Sequence, residues 1–538
     1  MNQNPEQSLC ERIALDLVAR GSVTGTPDEE SFGPWFADYL RGLGCFGGTE
    51  TVWTFPVAPG DGRQVVAMLV RGNGRRTILL TGHYDTVTTD DYADLRGLAC
   101  QPLALRDALL LRLQGDTATD ALRAHADLET TAFLPGRGLL DMKAGLAAGL
   151  AASAGIASSG KFDGNILFIA VPDEESGSAG ARAAAACLDN IAADHDLKIA
   201  AAINLDAIAD NGDGSAGRIL ALGTVGKVLP TAFVVGRPVH SGYALRGINA
   251  AVLAAAIATR LEWAPELTDD IATVPGTAVS LLSLKDGKAG YDVTTPGTAF
   301  LFWNVINLRR DPVQVLNVVQ QLVAEATQEC LVQLGKRAAA SKDATEVPDR
   351  ATSVDIMRYS TLLTEVLARD PSVAEALQKV AVASVGKDLP ERCRLMTALL
   401  WERSGRSGPA VILGLGSIPY LATLVQDPMI STVVDAFLAD APMRHGVKIR
   451  SVPYFAGISD MSFFGQADEA CFAALAADTP IWGAAIGLTT GALAQLPVVN
   501  LGPWGRDYHT PLERIHVDYG FRVLPALIED LVQRILVQ

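Results

Sequence analysis

The first 220 residues alternate short apolar runs with helical stretches, and this alternation limits most strongly what the chain can fold into. The runs TILLTGHYD, NILFIAVPDEE and IAAAINLDAIAD each have the pattern of a buried strand whose C-terminal end turns polar. An Ala-rich helical stretch, DMKAGLAAGLAASAGIA, separates the first two. The pattern predicts an α/β fold with a mixed, mostly parallel sheet and helices on both faces. Because ligands collect at the carboxyl ends of such strands, the polar residues there are candidates for a functional site.

The pattern changes near Gly223 and predicts further domains. A strand-helix-strand-strand-helix run over 223–335 predicts a small inserted α+β domain of the ferredoxin-like kind. Residues 336–407 form a mostly helical extra segment without recognisable chemistry, and strand character resumes at GPAVILGLGSIPY. We therefore expect 1–222 and 408–538 to be the two parts of one catalytic domain.

Composition excludes several classes of function. The formal net charge is −16 and no basic cluster occurs, which excludes a nucleic-acid binder and disfavours an anionic membrane as partner. The N-terminus lacks the pattern of a signal peptide, and the Ala-rich stretch is too weakly apolar to span a bilayer. The seven cysteines include no C-x-x-C pair, which argues against disulfides and thiolate zinc sites. The expectation is a soluble cytoplasmic protein.

Polar residues with metal-binding or acid-base chemistry recur where the predicted strands end. They are His83 with Asp85, Asp141, the pair Glu174 and Glu175, Asp206, and far downstream His509. Each has an ordinary alternative when taken alone: a hydrogen-bonded strand-end histidine, an N-cap at Asp141, or acids in an exposed turn that begins a helix. Singly, these structural interpretations are favoured.

Together, two histidines and several carboxylates without sulfur form a ligand set for one or two zinc-like ions. Asp141 is suited to bridge two ions roughly 3.5–4 Å apart, which leaves His83 with Asp206 on one ion and Glu175 with His509 on the other.

The two remaining carboxylates have roles beside the ligands. Asp85 is placed to accept the second ring N–H of His83 and so to fix its tautomer. Glu174, beside a ligand, is placed to take the proton of a metal-bridging water. The absence of H-E-x-x-H excludes the helical single-zinc protease site.

The ordered motifs GHYDT, GRGLLDMKAG, DEESGSAG, NLD, HSG and GRDYH resemble those of the dinuclear zinc hydrolases of the M20 type. That family includes aminoacylases, carboxypeptidase G and succinyl-diaminopimelate desuccinylase, and the resemblance covers nearly the whole chain. It implies the same metal ligands, Glu174 as general base and Asp85 as partner of His83. The long segment between Asp85 and Asp141, the extra 336–407 segment and GISDMSFFG are most similar to the arginine-utilisation (RocB-type) branch.

The resemblance also gives roles to residues that the sequence alone leaves unassigned. The inserted domain would be a lid that in many relatives forms a homodimer contact. His240 in RPVHSG would stabilise the oxyanion, Arg310 (or its neighbour Arg309) would hold a substrate carboxylate, and Gly502 would line the substrate site. The cofactors implied are two zinc ions, although the same ligands accept cobalt or manganese.

The function expected on these grounds is hydrolysis of an amide, in an N-acyl amino acid or a small peptide-like compound. A single-domain zinc aminopeptidase is an alternative, although such enzymes have no inserted HSG domain. An esterase on the same site and a catalytically silent metal-binding regulatory or scaffold protein are the others. The presence of Glu174 argues against a silent protein, which would have no need of a general base.

Overall fold

The structure is a computed structural model that describes residues 7–160, 162–270, 276–341, 353–455, 457–468, 472–486, 488 and 494–538. The chain divides into two compact units. The first comprises Met1–Thr224, Thr423–Ala467 and Gly491–Gln538, and the second comprises Val225–Ala422 and Asp468–Thr490.

The described residues include fifteen α-helices and twenty strands. The helices are α1 (Leu9–Ala19), α2 (Pro27–Leu43), α3 (Pro102–Leu113), α4 (Thr119–Glu129), α5 (Ala144–Ser158), α6 (Ala179–Asp194), α7 (Ala250–Leu261), α8 (Pro312–Ala339), α9 (Tyr359–Arg369), α10 (Val373–Ala383), α11 (Leu389–Ser404), α12 (Pro428–His445), α13 (Met461–Phe464), α14 (Phe472–Asp478) and α15 (Leu524–Leu536). The strands are β1 (Glu50–Pro56), β2 (Gln64–Arg71), β3 (Asn73–His83), β4 (Phe133–Pro135), β5 (Asp163–Val171), β6 (Lys198–Asn204), β7 (Ile208–Ala209), β8 (Ile219–Ala221), β9 (Gly223–Thr224), β10 (Gly226–Val228), β11 (Pro230–Val235), β12 (Ser280–Asp286), β13 (Thr298–Asn307), β14 (Asp355–Arg358), β15 (Ala410–Leu415), β16 (Thr423–Leu424), β17 (Arg450–Val452), β18 (Val498–Asn500), β19 (Trp504–Arg506) and β20 (Arg514–His516).

The first unit is built on an eight-stranded mixed sheet in the order β1-β2-β5-β3-β6-β18-β8-β17. Its centre, β5-β3-β6-β18, is parallel, as the alternating pattern predicts. Strand β5 is buried from Gly164 to its end and β3 from Thr77 to its end, because helices cover both faces of such a sheet. Helices α1, α5 and α15 pack on one another and share one core with the sheet. The predicted α/β fold is confirmed.

Helix α5 is buried nearly all round, which explains its Ala, Gly and Ser composition. A Cβ on Gly145 would lie 2.1 Å from the carbonyl oxygen of Leu205, so only glycine allows the helix to approach the end of β6. With the turn before it, Leu139–Ser158 is long and apolar enough to cross a membrane, but 89% of it is buried inside the protein, the environment of a core helix.

The second unit contains the predicted strand-helix-strand-strand-helix run as β11, α7, β12, β13 and α8. Its sheet has the order β12-β13-β11-β15 with β14 at the edge, and β10 continues the pairing along β13. Taken in chain order, β11, β12, β13 and β15 are arranged 2-3-1-4, as in a ferredoxin-like sheet.

The predicted boundary at 408 differs from the structure. We expected GPAVILGLGSIPY to resume the catalytic domain, but its strand β15 pairs antiparallel with β11 and completes the second unit. A fully apolar strand fits the centre of either sheet, so its sequence does not identify its partner. The extra segment belongs to the second unit as well, where its helices α9 and α11 contact β15, and the chain returns to the first unit at Thr423.

The close contact at Gly145 generates a stability prediction. Gly145→Ala should destabilise the protein by about 1–3 kcal/mol, because the added methyl overlaps a backbone oxygen that has little room to move. Gly42→Ala is the matched control, since a Cβ there meets nothing within 4 Å, and it should be neutral or stabilising by about 0.5–1 kcal/mol. Thermal unfolding followed by circular dichroism measures both. Equal midpoints in the two variants would contradict the packing argument.

Candidate metal centre

Three neighbouring parallel strands bring most of the predicted site residues together. Strand β3 ends at His83, Glu174 and Glu175 lie in the turn after β5, and Asp206 follows β6 by two residues. Because β5, β3 and β6 are adjacent and parallel, their carboxyl ends meet at one edge of the sheet. The prediction from the strand ends therefore places these residues correctly.

Asp141 lies between the two histidines. Its Oδ1 is 3.2 Å from His83 Nε2 and its Oδ2 is 3.1 Å from His509 Nε2. It sits in a one-turn π-helical segment, Leu139–Lys143, just before α5, whose N-cap position is Lys143. The alternative that Asp141 caps this helix is therefore wrong.

His509 reaches the same group from a distant part of the chain. It lies in the loop between β19 and β20, with φ of 61°, in the left-handed region that non-glycine residues seldom adopt. Its Nε2 is 3.1 Å from Glu175 Oε1 as well as from Asp141.

The described residues contain three overlapping donor groups: two share Asp141, and a third joins His83 with Glu174 and Glu175. His83, Asp141 and Asp206 offer one nitrogen and two oxygens within 4.8 Å of one another, and so do His509, Asp141 and Glu175. Imidazole nitrogen with carboxylate oxygen suits zinc and its first-row neighbours. The described residues thus fit two ions joined by one bridging carboxylate, in the pairing that the sequence predicts.

Asp85 acts differently from the prediction in one respect. The nearest acceptor to His83 Nδ1 is the backbone carbonyl of Asp85, at 3.0 Å, whereas its carboxylate Oδ1 is 3.6 Å away. A carbonyl accepting from Nδ1–H still leaves Nε2 as the free lone pair. The carboxylate accepts the backbone N–H groups of Glu174 and Glu175, at 3.1 and 3.2 Å, and the hydroxyl of Thr24 at 2.8 Å.

Buried carboxylates dominate the electrostatics of this edge. Burial, followed by the charge of Asp141, raises the pKa of Asp206 to about 8, and burial raises the pKa of Glu174 well above its usual range. Hydrogen bonds to Asp141 and Glu175 raise the pKa of His509 to about 10. For His83, burial opposes the charged form, but the carboxylates of Asp141 and Asp85 outweigh it and raise the pKa. The cluster therefore favours bound positive charge.

Three further predicted residues have their own surroundings. His240 and Arg310 belong to the second unit, where the Nδ1 of His240 accepts from Gly242 N at 3.1 Å and the Arg310 guanidinium donates to the Glu266 carbonyl. Gly502 packs against the backbone of Asp206, and a Cβ on Gly502 would lie 1.9 Å from the carbonyl oxygen of Asp206. Glycine at 502 is thus required by the packing of a metal-ligand segment.

Two residues at this edge were missed by the sequence analysis. Thr24 lies 61 residues before its partner Asp85, and nothing in its neighbourhood marks it. Asp460 is buried at 3% exposure, and burial raises its pKa to about 7. It lies in GISDMSFFG, a stretch that is similar to the RocB-type branch but whose aspartate the sequence does not mark as part of a site.

Comparisons with known proteins agree with this geometry. The sequence pattern of Peptidase family M20/M25/M40 matches residues 114–519. Two Bacillus subtilis proteins match nearly end to end. The uncharacterized protein YqjN is 28% identical over 99% of this chain and 97% of its own, and protein RocB is 26% identical over 99% and 96%.

Solved structures share the fold. A tripeptidase from Staphylococcus aureus superposes with a TM-score of 0.55, and the aminopeptidase PepT from Bacillus cereus with 0.54, each at 15% identity over 98% of both chains. The fold is the one that these two peptidases share, and the donor groups fit metal ions. The chain belongs to Peptidase family M20/M25/M40, which confirms the resemblance inferred from the motifs.

The raised pKa values predict how the metal-free protein responds to pH. A group with a raised pKa keeps its proton in the folded chain after the unfolded chain has lost it, so stability falls as pH rises between the two values. The pH range over which stability falls therefore runs from 3.8 to about 8 for Asp206 and from 6.5 to about 10 for His509. In a chelator, the unfolding temperature should therefore fall steadily from about pH 5.5 to 8.5.

Zinc should remove most of this fall, because the ion binds the deprotonated ligands and stabilises the folded state. Thermal unfolding with chelator and with zinc at each pH is the measurement, and Asp206→Asn should flatten the chelator profile. A chelator profile that rises across this range would contradict the assignment.

Proposed function

We propose that this chain is a metal-dependent hydrolase that cleaves an amide in an N-acyl amino acid or a small peptide-like compound. The observation that carries the proposal is Asp141 between His83 and His509, each with a second carboxylate, Asp206 or Glu175. Membership of a peptidase family supports the reaction class. Two zinc ions held by these residues would lower the pKa of a bound water and polarise the scissile carbonyl.

Glu174 is the proposed general base. It is buried beside the ligands, with Oε2 at 3.9 Å from His83 Nε2, and the Asp85 carboxylate fixes its backbone. A raised pKa makes this carboxylate a better proton acceptor than an ordinary glutamate. In the proposed reaction it takes a proton from the attacking water and passes it to the leaving amine nitrogen.

His240 is the proposed donor to the oxyanion. Because Nδ1 accepts the N–H of Gly242, the neutral ring carries its proton on Nε2. That N–H is the kind of donor that stabilises negative charge on a carbonyl oxygen. Arg310 or Arg309 would hold a carboxylate of the substrate, and the second unit would close over it as a lid. A homodimer through this unit is part of the same proposal.

The first experiment is to measure metal content by mass spectrometry on the purified protein, with a release assay over N-acyl amino acids and dipeptides. About two zinc ions per chain with turnover of any panel member would support the proposal. Failure to bind metal even after reconstitution would refute it.

The adjacent glutamates allow a matched comparison. Glu174→Gln should keep both ions and lose nearly all turnover, at least 100-fold, because the amide cannot accept the water proton. Glu175→Gln should instead weaken the binding of the ion that Glu175 and His509 would share. Metal content and kcat are measured on both variants and on Glu402→Gln, an exposed control. Wild-type turnover in Glu174→Gln would refute its role.

His240→Ala should lower kcat by about 100- to 1000-fold, since one oxyanion donor is lost. Metal content should stay unchanged, because no ligand is altered. Steady-state kinetics on the best panel substrate checks this, and an unchanged kcat would rule out the oxyanion role.

A further inference from the structure

A partly buried ionic cluster, with one fully buried arginine, lies next to the candidate metal centre and has no part in the proposed chemistry. Its members come from α4 and from the segment that carries His509: Arg123, Asp127, Arg506, Asp507 and Arg514. Burying several charges together is costly unless the geometry is well matched, so the cluster requires a structural explanation.

Asp127 is the centre of this cluster. Its Oδ2 accepts two hydrogen bonds from Arg514, Nε at 2.8 Å and Nη2 at 2.7 Å. Arg506 Nη1 donates to both of its oxygens, at 2.9 and 2.8 Å. The side chain of Arg514 is fully buried, so removing the carboxylate would leave a buried charge without its principal partner.

The two arginines flank the His509 loop. Arg506 ends β19 and Arg514 begins β20, so one carboxylate of α4 holds both ends of the loop. Within the loop, Asp507 accepts from Arg514 Nη1 at 2.7 Å and from Arg123 Nη2 at 3.0 Å. Helix α4 thus contacts both ends of the loop through Asp127 and contacts Asp507, within the loop, through Arg123.

The backbone of the loop needs such support. Asp507 and His509 have φ values of 53° and 61°, a conformation that is unfavourable for residues with a Cβ and persists where surrounding contacts impose it. The ligands His83 and Asp206, by contrast, are positioned by adjacent strands of the central sheet. His509 lies outside the central sheet, in a loop whose ends are held by the pairing of β19 with β20 and by the side-chain contacts of Asp127 and Asp507.

We propose that Asp127 and Arg123 are positioning residues for His509. They set the affinity for the ion that His509 and Glu175 would hold and leave the ion of His83 and Asp206 little affected. The inference rests on the proposed dinuclear centre. Outer contacts that orient a metal ligand typically change metal affinity about 10- to 100-fold.

The test uses cobalt(II) titrated into the full-length metal-free protein and followed by visible absorption and calorimetry. Arg123→Gln is the main variant, because its side chain is partly exposed and the substitution keeps Asp127 paired with both other arginines. Asp127→Asn is the second. His509→Ala identifies which binding transition belongs to the His509 ion.

Both Arg123→Gln and Asp127→Asn should weaken that one transition about 10- to 100-fold and leave the other within about twofold. Glu129→Gln is the matched control: it changes an exposed carboxylate of the same helix whose ion pair is with His125, and both transitions should equal those of the wild type. Should Asp127→Asn fail to fold, Arg123→Gln decides alone.

Two outcomes overturn the inference in different ways. If the wild type binds two ions and Arg123→Gln weakens neither, or both equally, the positioning role is wrong while the dinuclear centre stands. If the wild type binds fewer than two ions after reconstitution, the dinuclear centre fails and the inference fails with it.

Discussion

The structure depends on one electrostatic constraint, the gathering of buried carboxylates at a single edge of the central sheet. Asp141, Glu174, Glu175 and Asp206 share this edge with two imidazoles. Carboxylates buried together lose hydration and also repel one another, which is why several of their pKa values rise. Such an arrangement is stable only if its negative charge is neutralised. Two divalent ions would do this, and in the metal-free fold protons held by the carboxyl groups and the imidazoles do so.

The fold brings these carboxylates together through the ends of adjacent strands and one closely packed helix. Parallel strands β5, β3 and β6 end side by side, and a buried, glycine-containing helix, α5, lies close enough to bring Asp141 over the strand ends. The last donor comes from the loop between the paired strands β19 and β20, which lie outside the central sheet, and ion pairs brace this loop. The strand ends and the loop therefore each position some of the candidate metal-binding residues. This agrees with the general rule that the contacts around such residues set the geometry of a site.

Much of this could be predicted from the sequence because its signals are local. Apolar runs that end in polar residues predicted the central strands and the donor residues His83, Glu175 and Asp206 at their ends. Long-range pairing was not predictable in the same way. Strand β15 is apolar throughout and its partner β11 lies 175 residues earlier, so the boundary at 408 was misplaced. Thr24 and the α4 ion pairs were missed for the same reason, since neither residue gives an indication of its distant partner: Asp85 lies 61 residues after Thr24, and Arg514 lies 387 residues after Asp127.

Both units are built from segments that are far apart in the sequence, and this affects how the chain folds during its synthesis. The central sheet of the first unit needs β18 at Val498–Asn500, and its core needs α15 at Leu524–Leu536. The second unit needs β15, about a hundred residues after β13. A nascent chain thus exposes apolar strands for most of its time on the ribosome, when aggregation and chaperone capture compete with folding. It also lacks the donor group of Asp141, Glu175 and His509 until His509 has emerged.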